Sequence, residues 1–264
     1  MSETKLHFKT PEELAIMREA GRIVAVAHQE MRRAVRPGVT TKELDTIVET
    51  IIRDHGAVPA FLNYPKHNSP NFPASICASV NNELVHGIPS ARVLQEGDII
   101  SIDIGTVYKG FVGDSAWTYP VGEVSAQVQR LLDVTEQSLF EGIRASVMPN
   151  EIRDVALAVY SYVDKQGYSV ARDYTGHGVG RVMHEKGLDV PNWWPRRAKE
   201  RGWTSHRLQP GMTYAIEPMV IAGRAETREL ADKWTVVTRD GSLCAHFEHT
   251  IAITNDEPII LTLP

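Results

Sequence analysis

Apolar positions recur along the first third of the chain at helical spacing. Ile16, Met17, Ala20, Ile23, Val24, Ala27 and Met31 fall on one face of a 3.6-residue period. Ahead of them Thr10 can cap, Pro11 suits the first helical position, and Glu13 completes a capping box. Pro37-Gly38 stops this helix. Thr40 and Glu43 form a second box, Leu44, Ile47, Val48, Ile51 and Ile52 give the next apolar face, and Gly56 supplies its end. The plan returns after residue 120. Ser125 caps a helix carrying Val128, Leu131, Leu132, Leu139 and Ile143. Asn150 is expected to cap another carrying Ile152, Val155, Ala156, Val159 and Val163, with Gly167 at its end. Pro37 and Pro149 lie 112 positions apart, Gly56 and Gly167 lie 111 apart, and Leu94-Gln95-Glu96-Gly97 resembles Leu208-Gln209-Pro210-Gly211 at an offset of 114. These offsets predict a single domain over residues 1–264 made of two related halves, about 11–120 and 121–264.

Between and after the helix pairs the pattern turns to β-branched runs that contain acids. Asp103 lies inside Ile99 to Gly105, and Asp114 inside Phe111 to Trp117. A turn near Tyr108-Lys109-Gly110 makes the two runs a hairpin and sets the two acids opposite or nearly so, with Cβ atoms within roughly 4.5–5.5 Å. Facing like charges destabilise a sheet unless a cation sits between them. Glu217, in Tyr214-Ala215-Ile216-Glu217-Pro218, and Glu248, just before Thr250-Ile251-Ala252-Ile253-Thr254, repeat the problem in the second half. Four carboxylates, two per half, predict a pair of divalent ions where the halves meet. His177 sits in Gly176-His177-Gly178-Val179-Gly180, where the glycines let backbone approach closely. His184 and His86 are further candidates, whereas His249 should point to the strand face opposite Glu248. One imidazole among several oxygen donors disfavours a structural zinc site. It suits two hard or borderline ions such as Mn, Co, Fe or Zn. Such a pair does hydrolytic chemistry.

Composition narrows the classes. Hydrophobic residues are 42% and charged residues 23% of 264, which excludes bulk disorder. The net charge of −5 argues against a dedicated nucleic-acid binder. Cys77 and Cys244 stand alone, which excludes a disulfide framework and suits a reducing, cytoplasmic setting. No apolar run reaches membrane-span length, and the charged first twenty residues give no secretory signal. The dinucleotide fingerprint, the phosphate loop, the HExxH helix and the GxSxG elbow are all missing.

Six motifs together resemble those of bacterial type I methionine aminopeptidases, over nearly the whole chain. They are His86-Gly87-Ile88-Pro89, Ser101-Ile102-Asp103-Ile104-Gly105, Gly113-Asp114, Gly176-His177-Gly178-Val179-Gly180, Ile216-Glu217-Pro218 and Glu248-His249-Thr250. The resemblance implies the α+β pita-bread fold, a curved antiparallel sheet flanked by helices with internal pseudo-two-fold symmetry. It implies removal of the N-terminal methionine of nascent polypeptides when the second residue is small. It also implies two divalent ions per chain, held by Asp103, Asp114, His177, Glu217 and Glu248, with Asp114 and Glu248 shared between them. Glu217 would shuttle the proton, His184 would hydrogen-bond the scissile carbonyl, and His86 would contact the scissile nitrogen. Tyr64, Phe72, Cys77 and Trp234 would wall the methionine pocket, and the family prior is a monomer.

Two features depart from the family. Met183 replaces the usual Phe before His184. Residues 191–203 form an insertion with three of the five tryptophans, and its 196–201 stretch has four basic residues and one acidic. It could line the cleft mouth, touch ribosomal RNA transiently, or simply pack on the surface. Xaa-Pro aminopeptidases and prolidases share the fold and the ligand set, but normally carry an additional N-terminal domain. A metal-free relative acting as a binding module would have lost ligands.

Overall fold

The computed structural model describes residues 6–195 and 198–264. Helices α1 (Pro11–Ala34) and α2 (Thr41–Asp54) form in the first half, and α3 (Ala126–Ala145) and α4 (Ile152–Lys165) in the second. The Thr10 hydroxyl accepts from the Glu13 N–H at 3.3 Å and the Thr10 N–H donates to the Glu13 carboxylate at 3.1 Å. Thr40 and Glu43 do the same at 3.2 and 2.7 Å. Ser125 caps α3 by accepting from the Val128 N–H. The expected Asn150 cap on α4 does not form. Asn150 donates its side-chain amide to the Ala145 carbonyl at 2.9 Å and so closes α3, while the Glu151 N–H donates to Asp154 at 2.8 Å. Glu151 takes the cap position, and the distant Ser205 hydroxyl ties it down by donating to its side chain at 2.9 Å and accepting from the Arg153 N–H at 3.1 Å.

All strand pairs are antiparallel. In the first half Ile99–Tyr108 pairs with Phe111–Pro120 on one side, and with Ile76–Val80 and Val58–Pro59 on the other. Five strands follow one another in the second half: Ile259–Ile260, His249–Ala252, Thr213–Ile216, Thr175–Gly178 and Glu185–Pro191. Two smaller sheets complete the fold. One sets Met219–Ile221 between Cys244–His246 and Ser169–Val170, and the other joins Thr227–Glu229, Val236–Thr238 and Glu83–Val85.

Each helix pair covers its own apolar cluster. Ile23, Val24, Leu44 and Val48 pack on Ile76 and Ile102. Leu139, Val155 and Val159 pack on Tyr214 and Ile251. Between the clusters the central strands of the halves are laced by polar bonds. Glu248 N–H donates to the Ala116 carbonyl (2.8 Å), Ser115 Oγ to the Glu248 carbonyl (2.6 Å) and Thr250 Oγ1 to the Asp114 carbonyl (2.7 Å). Helix α1 lies directly on the strand carrying Asp114, because a Cβ on Gly113 would come within 2.5 Å of the Ala20 backbone. Among the described residues no helix is long and apolar enough to cross a membrane.

Candidate metal centre

The hairpin turn is Lys109-Gly110, with φ of +48° and +79°, so Tyr108 faces Phe111. A two-residue turn fixes the register so that Asp103 faces Ala116 and Asp114 faces Gly105. The acids are therefore diagonal neighbours, the nearly opposed arrangement among those the sequence allows. Positions two apart on a strand share a face, so both still look the same way, and both line the same cavity. Asp114 in turn reaches Glu248, which lies at the seam between Cys244–His246 and His249–Ala252.

His177 enters from Thr175–Gly178. A Cβ on Gly176 would come within 2.3 Å of the Ala215 carbonyl, so glycine lets this strand press against Thr213–Ile216. His177 Nε2 lies 3.7 Å from Asp114 Oδ2 and 3.6 Å from Glu217 Oε1. Ligand atoms of Asp114, His177 and Glu248 all fall within 4.8 Å of one another. The five residues singled out in the sequence thus converge, three from the second half and two from the first.

Burial and mutual repulsion push Asp103, Asp114 and Glu248 well above the carboxylate range. Burial lifts Glu217 to about 8 and holds His177 down at about 3. Asp103 Oδ1, Asp114 Oδ1 and Glu248 Oε1 are buried with no hydrogen-bond partner among the described residues. Buried acceptors crowded together in this way stay ionised only when a cation is held among them. The donor set, four carboxylates and one neutral imidazole, fits divalent ions of the Mn, Fe, Co or Zn type.

The centre forms one wall of a cavity of about 180 Å³. Tyr64, Phe72, Cys77 and Trp234 all line it, as do His86 and His184. Phe72 meets Trp234 edge-on at 5.1 Å, and Trp234 is fixed by donating Nε1–H to the Pro70 carbonyl at 2.9 Å. His184 is at the rim, hydrogen-bonded to the Tyr64 hydroxyl through Nδ1 at 2.7 Å, with its ring 4.1 Å from that of His177. His86 holds φ at +59°, a left-handed conformation uncommon outside glycine, and stands perpendicular to Trp234 at 6.2 Å. Met183 fills the wall beside Gly105, where a Cβ would come within 2.6 Å of its terminal methyl. His249 points away, bonded to Thr262 Oγ1 at 2.8 Å and stacked near Trp117.

Sequence reading missed several neighbours of the site. Met219 and Tyr174 also line the cavity. His246 is 2% exposed and its Nε2 lies 3.3 Å from Glu217 Oε2. Strand alternation was the available signal, since position 246 is two before Glu248. Asn192, at the base of the insertion, donates to the Glu217 carbonyl at 2.9 Å. The insertion continues as a Trp193, Trp194 and Trp203 cluster with ring separations of 5.8 and 6.2 Å. Arg201 lies over Trp193 and Trp203. Arg196 and Arg197, part of the basic stretch, lie outside the described residues.

A helix-flanked antiparallel α+β shell, with carboxylates and an imidazole gathered where its halves meet, defines a pita-bread metal-dependent hydrolase. Comparison with known proteins narrows the class. Residues 15–255 match metallopeptidase family M24. The chain is 52% identical over 254 residues to methionine aminopeptidase 1 of Bacillus subtilis, covering 96% of this chain and 98% of that one. The crystal structure of methionine aminopeptidase from Rickettsia prowazekii superposes with a TM-score of 0.91 at 39% identity, covering 98% of this chain and 100% of that one. The Thermotoga maritima enzyme superposes with a TM-score of 0.90 at 41% identity, with the same coverage. The chain belongs to metallopeptidase family M24.

Proposed function

We propose that the protein removes the N-terminal methionine from nascent proteins and peptides whose second residue is small, acting as a single catalytic domain of two related halves. The observation that carries this reading is the placement of partnerless buried carboxylate oxygens on the wall of an apolar cavity. Asp103, Asp114, His177, Glu217 and Glu248 would hold two divalent ions. Bound there, such ions lower the pKa of water toward neutrality and polarise a carbonyl.

The chain's own residues do the rest. Phe72, Cys77 and Trp234, buried together with Tyr64 packed against them, give the methionine side chain an apolar seat. His184, oriented by the Tyr64 hydroxyl, hydrogen-bonds the scissile carbonyl as negative charge develops on it. His86, held by its backbone turn, faces the scissile nitrogen. Glu217, whose two oxygens lie within reach of the site's imidazoles, passes the proton to the leaving amine. The trimmed chain then leaves with a new free N-terminus.

The insertion is read as part of the cleft mouth. Arg201 donates to the Arg172 carbonyl at 3.0 Å and Trp193 to the same carbonyl at 3.3 Å, two residues before Tyr174 on the cavity wall. Transient ribosome contact would use the same rim, and would be lost from co-sedimentation on deletion of residues 191–203. A monomer working in the cytoplasm fits two free buried cysteines.

The deciding experiment pairs metal analysis with peptide assays. Met-Ala-Ser should be cleaved in Mn or Co buffer and an Xaa-Pro peptide should not. Cleavage of the Xaa-Pro peptide alone would move the reading to the prolidase side of the family. No bound metal and no hydrolysis would end it.

A further inference from the structure

His246 is built into the floor of the metal centre by a hydrogen-bonded brace. Its N–H donates to Thr118 Oγ1 at 2.9 Å, and the Thr118 hydroxyl donates back to the His246 carbonyl at 2.8 Å. Thr118 has one proton and it is used there, so Ser101, 2.9 Å away, must be the donor to Thr118. Ser101, Thr118 and His246 are all buried, at 3, 3 and 2% exposure. Thr118 is on the strand that bears Asp114, and Ser101 on the strand that bears Asp103. The backbone at 246 is thus pinned to both acid-bearing strands of the other half.

The pinned imidazole lies nearest to one oxygen of one carboxylate. Its Nε2 lies 3.3 Å from Glu217 Oε2 and 4.0 Å from Glu248 Oε2, but makes no hydrogen bond among the described residues, so it is a buried unpaired nitrogen whose nearest oxygen is Glu217 Oε2. The opposite oxygen, Glu217 Oε1, is the one 3.6 Å from His177 Nε2. Glu217 therefore stands between two imidazoles, one on each oxygen. Thr213–Ile216 has ended by position 217 and Pro218 follows, so no regular strand pairing fixes this side chain. A carboxylate free to rotate would present either oxygen to the centre.

We propose that His246 is a positioning residue for Glu217: a small turn of either side chain lets the unpaired Nε2–H donate to Oε2, which leaves Oε1 on the side of His177. This rests on the reading of Glu217 as a metal ligand and proton carrier. His246 is not among the cavity-lining residues, so it acts through Glu217 and not on the peptide. Hydrogen-bond partners of ligating carboxylates typically change metal affinity or activity by roughly 10–100-fold.

The test compares His246→Ala with His246→Gln in the full-length protein, beside Glu217→Gln. Readouts are metal affinity by calorimetry with Mn alone, and kcat and KM on Met-Ala-Ser. His246→Ala should weaken Mn binding and lower kcat by roughly 10–100-fold each, leaving KM within about threefold. His246→Gln keeps an N–H donor and should recover both to within about threefold. If His246→Ala fails to fold, a folded His246→Gln with near-normal Mn affinity and kcat carries the support. The proposal is overturned by a folded His246→Ala with unchanged Mn affinity and kcat, or by a Gln variant as poor as Ala. Glu217→Gln separates the two layers. If it keeps normal turnover, the reading of Glu217 itself is wrong; if it is inactive while His246→Ala is normal, only the positioning role falls.

Discussion

At the scale of single residues, the chain spends its buried polar groups in two ways. One set is paired off. His28 on α1 has Nδ1 2.9 Å from the Tyr119 hydroxyl and Nε2 2.9 Å from the Ser115 carbonyl, and burial pulls it down to about 4. The folded form then binds fewer protons than the unfolded chain between about 4 and 6.5. The neutral pairing contributes its full stability above 6.5 and loses it as pH falls toward 4. The loss amounts to on the order of 3 kcal/mol. Urea denaturation of His28→Asn at pH 7.5 and 4.5 should give a shallower decline with acid than the parent; an equal decline would mean His28 does not titrate in this window. The other set is left without partners at the metal centre. His177→Ala and Glu217→Gln should drop kcat by at least 100-fold with circular dichroism unchanged, and near-normal kcat at saturating metal would remove either from the centre. Residue types and motif spacing singled out in advance the five residues that the fold brings together. His246 escaped because a histidine two positions before Glu248 belongs to no motif, and its partner Glu217 is brought to it only by folding.

At the scale of elements, local chemistry fixed what could be read and distant contacts fixed the remainder. Helix starts were legible because a capping box is complete within four residues. The Asn150 cap was misread because Ser205, which helps Glu151 take that place, is more than fifty positions away. The hairpin was legible but its register was not, since one residue more or less in the turn moves every pair. The boxes also allow a clean stability test. Thr40→Ala removes the acceptor for the Glu43 N–H on an exposed helix start, well away from the cavity. It should cost about 1 kcal/mol in urea unfolding with kcat/KM unchanged. A change in kcat/KM would mean that α2 couples to the site.

At the scale of the whole molecule, the halves are joined by a seam that is polar and anionic where a core would be apolar. Ser115, Thr118 and Thr250 lace the backbones together, but Asp103 and Asp114 from one side face Glu217 and Glu248 from the other. Without cations the carboxylates repel across that seam; with them the same residues become its strongest link. Metal that binds only the folded protein stabilises it by RT ln(1 + [M]/Kd), about 2.7 kcal/mol at 100 times Kd. Scanning calorimetry should therefore show Tm rising steadily with Mn concentration in one cooperative transition, and falling back on addition of chelator. Asp103→Asn separates repulsion from ligation. It removes a buried acid whose ionisation burial and its neighbours oppose, so the metal-free protein should melt higher than the parent, while the increment gained from Mn should shrink. A metal-free Asp103→Asn that melts lower, with the full Mn increment retained, would place Asp103 outside the centre. The converse, higher Tm and smaller increment together, is the result that only a repulsive cluster held by a cation can give.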